Sequence, residues 1–179
     1  MDYMFIPKEE GMASTLAPSF RVIRMEALSP EKSDSAAILA ALDHIDVDSA
    51  LMPLIKEGSF DTRYGLHALF AFGTADDLEY PNGFAPREIW EVKLDKDGGA
   101  LPTPKAKYDY RVASLAGALR FCAHERLPRG KKIFILAEFR SAPFLLEFSN
   151  DRDRGYLLRK RKLVDRIYRD QPVALAIRS

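Results

Sequence analysis

Glu91, Val92 and Lys93 are the residues of this chain whose types and spacing most directly suggest chemistry. In the segment Glu88-Ile89-Trp90-Glu91-Val92-Lys93-Leu94, the apolar residues Trp90, Val92 and Leu94 alternate and predict a half-buried strand. Glu91 and Lys93 would then project together from its other face. An acid and an amine side by side suit phosphodiester hydrolysis. The carboxylate offers an oxygen ligand to Mg2+, a hard cation, and the ammonium positions water and offsets phosphate charge. A second acid is expected from the turn upstream, where Asp77 is the first candidate and Asp76 its competitor. The same residues also fit a plainer description, because a strand with one wet face commonly shows an acid and a lysine two apart, and Asp76-Asp77 is ordinary turn chemistry.

The order of these residues resembles the restriction-endonuclease-like superfamily with its PD-(D/E)xK signature, in which an acid precedes an E-x-K strand, then a helix and another strand. Asp77, Glu91-Val92-Lys93, an expected helix from Tyr108 to Leu127 and an expected strand from Lys132 to Phe139 stand in that order, covering roughly residues 63 to 139. The resemblance implies Asp77 and Glu91 as metal ligands, Lys93 as the catalytic lysine and Mg2+ as cofactor. Two departures are visible. Ala75 stands where proline would make the proline–aspartate step, and the following helix lacks the glutamine that many members carry. Arg120 and His124, four apart, are similar to the Arg–His pair of HEPN ribonucleases but at shorter spacing. Cys122 and His124 point different ways on a helix, and neither a P-loop nor a serine nucleophile elbow is present.

Downstream lie two basic groups suited to phosphate. Lys105, Lys107 and Arg111 interleave with Tyr108 and Tyr110 at the expected start of a helix, where amides and the dipole favour anions and tyrosines can stack on bases. Ser149-Asn150-Asp151 reads as the cap of a second helix running to about Asp170 and stopped by Pro172. On it Arg159, Lys162, Arg166 and Arg169 would form one stripe, with Tyr156, Leu163, Val164 and Ile167 on another face.

Charge is distributed unevenly around this plan. Residues 1–100 hold 9 Lys+Arg against 18 Asp+Glu, whereas residues 101–179 hold 18 against 8, so a formal net charge of +1 hides a strong asymmetry. Either the basic half meets an anionic partner, or folding lays one half against the other. The 179 residues, 47% of them hydrophobic, suffice for a core without staples. One Cys and three His exclude an internal disulfide and argue against a structural zinc cluster. The sequence shows neither a leader pattern nor a membrane-length apolar run, so a cytoplasmic protein with no membrane partner is expected.

The elements that must position these residues follow from pattern. Residues 1–18 read as an arm, and residues 19–179 as one α/β domain with a central mixed sheet flanked by helices. Within it lie an acidic helical part (19–62), a sheet-containing core (63–148), and a basic helix with a last strand (149–179). Phe20–Met25 suggests an edge strand. Ser29-Pro30-Glu31 opens a helix that reaches Leu42, and Asp48 caps another over Leu51–Ile55. Leu66–Phe72 alternates, with His67 on it. Ile133–Ala137 reads as a central strand, Phe144–Phe148 as its hairpin partner, and Val173, Leu175 and Ile177 as the last strand. The function expected is a metal-dependent, nuclease-like protein acting on or binding DNA. The alternatives are a non-enzymatic nucleic-acid-binding or assembly component, with a protein complex as its setting, and an inhibitor or immunity protein that uses its acidic half.

Overall fold

The computed structural model describes residues 20–25, 35–58, 69–80, 83–96 and 107–178. Their nine strands form one mixed sheet with four helices, an α/β architecture. The strands are β1 (Arg21–Arg24), β2 (Ile45–Val47), β3 (Leu69–Gly73), β4 (Tyr110–Arg111), β5 (Ala113–Ser114), β6 (Lys132–Phe139), β7 (Ala142–Asp151), β8 (Gly155–Arg161) and β9 (Val173–Ile177). The helices are α1 (Ser35–Ala41), α2 (Met52–Glu57), α3 (Pro86–Lys96) and α4 (Leu115–His124). None is long and apolar enough to cross a membrane.

The sheet runs β1-β3-β9-β6-β7-β8-β2, with β4 on β9 and β5 on β6. β9 lies parallel to β6 only at Phe134/Val173 and Ile135/Ala174. Beyond that point the two diverge, and residues 110–114 fill the gap. The chain descends antiparallel along β9, reverses at Val112 and rises parallel to β6. Ser114 then leaves the sheet and caps α4, its hydroxyl accepting from the Gly117 amide at 3.1 Å.

Period-2 alternation sorts the core onto two faces. Phe70, Phe72, Ile133, Ile135, Phe148 and Ala174 pack beneath α1, α2 and α4. Ala71, Leu136, Leu145, Val173 and Leu175 face the other side, under Ile89 of α3, Leu78, Phe84 and Ile167. All five residues of β9 are therefore buried. Cys122 is fully buried, and burial pushes its thiol pKa well up, so it packs as a small apolar group.

Several expectations hold. β1 is an edge strand, the β6 run is central, and the β6–β7 hairpin turns at Arg140-Ser141, both at positive φ (51° and 65°). In α2, Pro53 lies in the first turn, and the N-cap position is held by Leu51, not by Asp48. Asp48 instead fastens β2 to β8, accepting from the amides of Ala50 and Lys160, which hold its carboxyl below the usual range. The Ser29-Pro30-Glu31 helix start and His67 lie outside the described residues.

Four expectations are corrected. The E-x-K segment is helix α3. Pro86 at its start and Glu88 in its first turn are helix-opening signals, and Ile89 is buried while Leu94 is 50% exposed, against the strand pattern. The expected helix over Tyr108–Leu127 is helical only from Leu115, its first part being β4 and β5. β2 appears where no strand was expected.

The fourth correction is the C-terminal basic helix, which does not form. Residues 149–161 finish β7, turn and return as β8, and residues 162–172 carry no regular strand or helix beyond a bridge from Ile167 to Phe84. Asp151 is the cause of the misreading. Its carboxylate accepts from the amides of Asp153 (2.9 Å) and Arg154 (3.0 Å), the bonds an N-cap would make, and here they close a hairpin. Pairing with β7 then outweighs helix propensity across Tyr156–Arg161.

Candidate nucleic-acid interface

On α3, two residues of separation rotate side chains by about 200° around the axis. Glu91 is accordingly exposed, while Lys93 is half-buried and reaches back to the sheet. Its ammonium donates to both carboxylate oxygens of Glu138 on β6 and lies 4.9 Å from the Trp90 ring centroid. Lys93 is therefore a tether of α3 to the sheet, and the acid beside it is Glu138, not Glu91.

Asp77 is equally committed. Its Oδ2 accepts from the amide and the hydroxyl of Thr74, both at 3.0 Å, and closes the turn that follows β3. Gly73 makes this possible, since a Cβ there would lie 2.8 Å from the Asp77 Cβ. Among the described residues no group of three His, Cys, Asp or Glu side chains is placed to hold a metal ion. Of the two carboxylates that the resemblance names as ligands, Asp77 is thus bonded within its own turn and Glu91 is exposed on α3. Asp77→Ala is expected to cost about 0.5–2 kcal/mol, like the loss of a cap, and to appear as a lower urea midpoint at unchanged slope.

The expected nucleic-acid contacts are dispersed. Lys105 lies outside the described residues. Lys107 is exposed, with its ammonium 5.4 Å from the Tyr108 ring centroid and 5.8 Å from that of Phe20, and these two rings stack at 5.6 Å. Tyr110 is buried, and burial first, then nearby acidic charge, drives its pKa upward. It belongs to the core next to Tyr80. Arg111 sits half-buried on β4. Without the C-terminal helix there is no stripe. Arg159 engages Asp46, Arg169 engages Asp76 at 2.8 Å, Arg166 lies against Gly83, and Lys162 is exposed. Asp46 and Asp76 come from the acidic half, so the charge asymmetry is partly cancelled by folding.

A different basic cluster forms at the end of the sheet where β6 begins and β7 meets β8. The connection Pro128-Arg129-Gly130-Lys131-Lys132 and the hairpin Asp151-Arg152-Asp153-Arg154 are laced together by three hydrogen bonds. Gly130 N donates to Asn150 O (2.7 Å), Asn150 N to Lys131 O (2.9 Å), and Asn150 Nδ2 to Leu127 O (2.8 Å). Gly130, at φ +79°, lets the Arg152 guanidinium lie against the backbone, where a Cβ would come within 3.0 Å of its Nε. Arg129, Lys131 and Arg152 are exposed and have no ion-pair partner among the described residues. At the flanks, Lys132 pairs with Glu147 at 3.3 Å and Arg154 with Asp46 at 3.4 Å.

Glu147 anchors the inner side of this rim. Burial works against its ionisation, but hydrogen bonds from Arg161 (2.8 Å) and Lys132 outweigh that, and its pKa is lowered. A carboxylate with a depressed folded pKa contributes stability above the unfolded value of about 4.3 and loses it as pH falls through the folded one. Glu147→Gln is expected to melt below the native chain at pH 7, with the gap narrowing as pH falls below about 4. A gap independent of pH would show that the ion pairs contribute nothing.

The sequence carried this rim in plain view, as Arg129, Lys131 and Lys132 and as Arg152 and Arg154. Pro128-Arg129-Gly130 signals a helix stop, however, and Asp151 signals a cap, and neither reading brings the two clusters together. No family model, curated protein or solved structure matches the chain.

Proposed function

We propose that this protein binds the phosphate backbone of nucleic acid without cleaving it, through the rim formed by Arg129, Lys131, Lys132, Arg152 and Arg154. The observation that carries the reading is the juxtaposition of Arg129, Lys131 and Arg152. Three exposed cations without ion-pair partners stand on two turns that hydrogen bonds hold together. Cations so placed neutralise phosphates and release counterions, which is the main source of sequence-independent affinity. The non-catalytic part of the reading is supported by Lys93 being tethered to Glu138, Asp77 closing its own turn and Glu91 facing away.

The test is fluorescence anisotropy with a labelled duplex across a salt series, beside a cleavage assay with Mg2+ and Mn2+. Binding that weakens roughly 40-fold between 50 and 200 mM salt, as three neutralised phosphates require, with intact substrate, is the expected result. Absence of binding at low salt overturns the reading. Cleavage that disappears in Lys93→Ala overturns its non-catalytic part and restores the metal-dependent nuclease.

A further inference from the structure

We infer that the rim takes single-stranded nucleic acid with Tyr168 as the platform on which an unpaired base stacks, an inference that rests on the proposed function above. Tyr168 is 72% exposed, whereas the other described tyrosines are buried or half-buried. Its ring makes no aromatic or cation contact among the described residues. The core uses its tyrosines differently. Tyr80 and Tyr110 lie 5.9 Å apart, and Tyr156 stacks on Phe148 at 5.7 Å.

The backbone decides where this ring stands. Ile167, just before it, is buried and exchanges two hydrogen bonds with Phe84, its amide donating to Phe84 O at 2.8 Å and its carbonyl accepting from Phe84 N at 3.1 Å. Arg169, just after it, is held by Asp76 at 2.8 Å. Gln171 N donates to Tyr168 O at 3.1 Å and closes a turn, and Pro172 O then accepts from Phe134 N on β6 at 3.1 Å. Such a turn brings its ends within about 7 Å, one residue adds about 3.8 Å and neighbouring strands stand about 4.8 Å apart, so the Tyr168 Cα lies within roughly 16 Å of β6 at Phe134. β6 begins two residues earlier, at Lys132, and the connection bearing Arg129 and Lys131 leads into it. The ring and the rim therefore share one end of the sheet.

Cations track the phosphates of a single strand and of a duplex alike. A ring adds affinity only where a base has a free face, because the bases of a duplex are stacked on one another. One base–aromatic stack strengthens binding by about 5- to 150-fold and accepts any base. Single-strand sites cover about 4–16 nucleotides, enough to reach from Lys132 to Tyr168. Tyrosine suits the task, since a ring on two rotatable bonds loses little entropy on contact. The bonds at Ile167 and Gln171 hold its backbone in place before a strand arrives.

The measurement is anisotropy at 100 mM salt with a labelled 20-nucleotide thymine DNA strand, the uracil RNA strand of the same length and a 20-base-pair DNA duplex, on the native chain and on Tyr168→Ala. The variant is expected to bind at least one single strand about fivefold or more weakly, and the duplex within about twofold of the native chain. The strand that loses more identifies the source. The slope of log affinity against log salt should not change, since the ring carries no charge, whereas loss of a rim cation lowers it. Tyr168→Phe should keep the affinity, and Tyr168→Trp should keep it with emission quenched by the bound strand. Three results overturn the inference and leave the proposed function standing: single-strand affinity of Tyr168→Ala within about twofold of native, an equal loss on the duplex, or Tyr168→Phe binding as weakly as Tyr168→Ala. Failure of all three probes to bind the native chain overturns the proposed function itself.

Discussion

Changing Arg129, Lys131 and Arg152 together to glutamate is expected to weaken duplex binding by at least about 100-fold at 100 mM salt. It should also lower the slope of log affinity against log salt by about 3. The slope is the more diagnostic readout, because each phosphate contact removed subtracts close to one from it, whereas a misfolded chain would lose binding without a defined change. Folding should survive. All three side chains are exposed and pair with no described acid, so the substitutions fall in the class that shifts stability by a few tenths of a kcal/mol. The matched control is Arg159→Ala with Arg169→Ala. These two cations are already occupied by Asp46 and Asp76, and their loss should leave the slope nearly unchanged. If the control moves the slope as far as the rim variant does, binding is spread over the whole basic half and the rim is not its seat.

The largest effect on stability is expected from Phe121→Ala. Phe121 of α4 and Phe70 of β3 are both fully buried, with ring centroids 4.8 Å apart, where the helix crosses the sheet. Truncation removes the transfer energy of the ring and leaves a cavity, together about 3–5 kcal/mol. For a chain of this length that lowers Tm by roughly 6–20 °C. A double-mutant cycle with Phe70→Ala should return about 0.5–1.5 kcal/mol for the ring pair. A loss below about 1 kcal/mol in Phe121→Ala would mean that the site collapses around the gap and that α4 is not locked to β3 by this contact.

How far the sequence reveals this molecule depends on which interactions decide each element. Ile133–Ala137 is apolar throughout and, apart from half-buried Phe134, is buried, so its pattern and its environment agree. The β6–β7 hairpin is equally plain, since its two strands alternate and its turn is short. α3 was hidden because Trp90, Val92 and Leu94 alternate by accident, while the residue that decides its inner face is Ile89. Its Pro86 and Glu88 are the true signals. β8 was hidden because an aspartate that caps a helix and one that closes a hairpin turn offer the same carboxylate to amides two and three residues on. Only long-range pairing with β7 separates the two outcomes, and no local window contains it.

The strand assumed for the E-x-K residues was overturned for a related reason. E-x-K means a shared face on a strand and opposite faces on a helix, so one misassigned element separates Glu91 from Lys93. The charge asymmetry was legible as a quantity but not as a geometry. Asp46 and Asp76 reach Arg159 and Arg169 across the fold and engage them, while Arg129, Lys131 and Arg152 have no acid partner among the described residues. Those pairs equally engage Asp46 and Asp76, which belong to the acidic half.

The position of β9 carries a consequence for how the chain acquires its shape. Val173–Ile177 is the only strand bridging β3, and with it β1, to β6 among the described residues, and its register sets Ile177 opposite Leu69. Before this segment is available, β1 with β3 and β6 through β8 are two separate partial sheets. Each presents an unsatisfied edge bearing Phe70 and Phe72 on one side and Ile133 and Ile135 on the other. Closure must join residues very distant along the chain, the kind of contact that slows folding and leaves adhesive edges exposed meanwhile. Until β9 slots between them, no other strand among the described residues pairs these two edges.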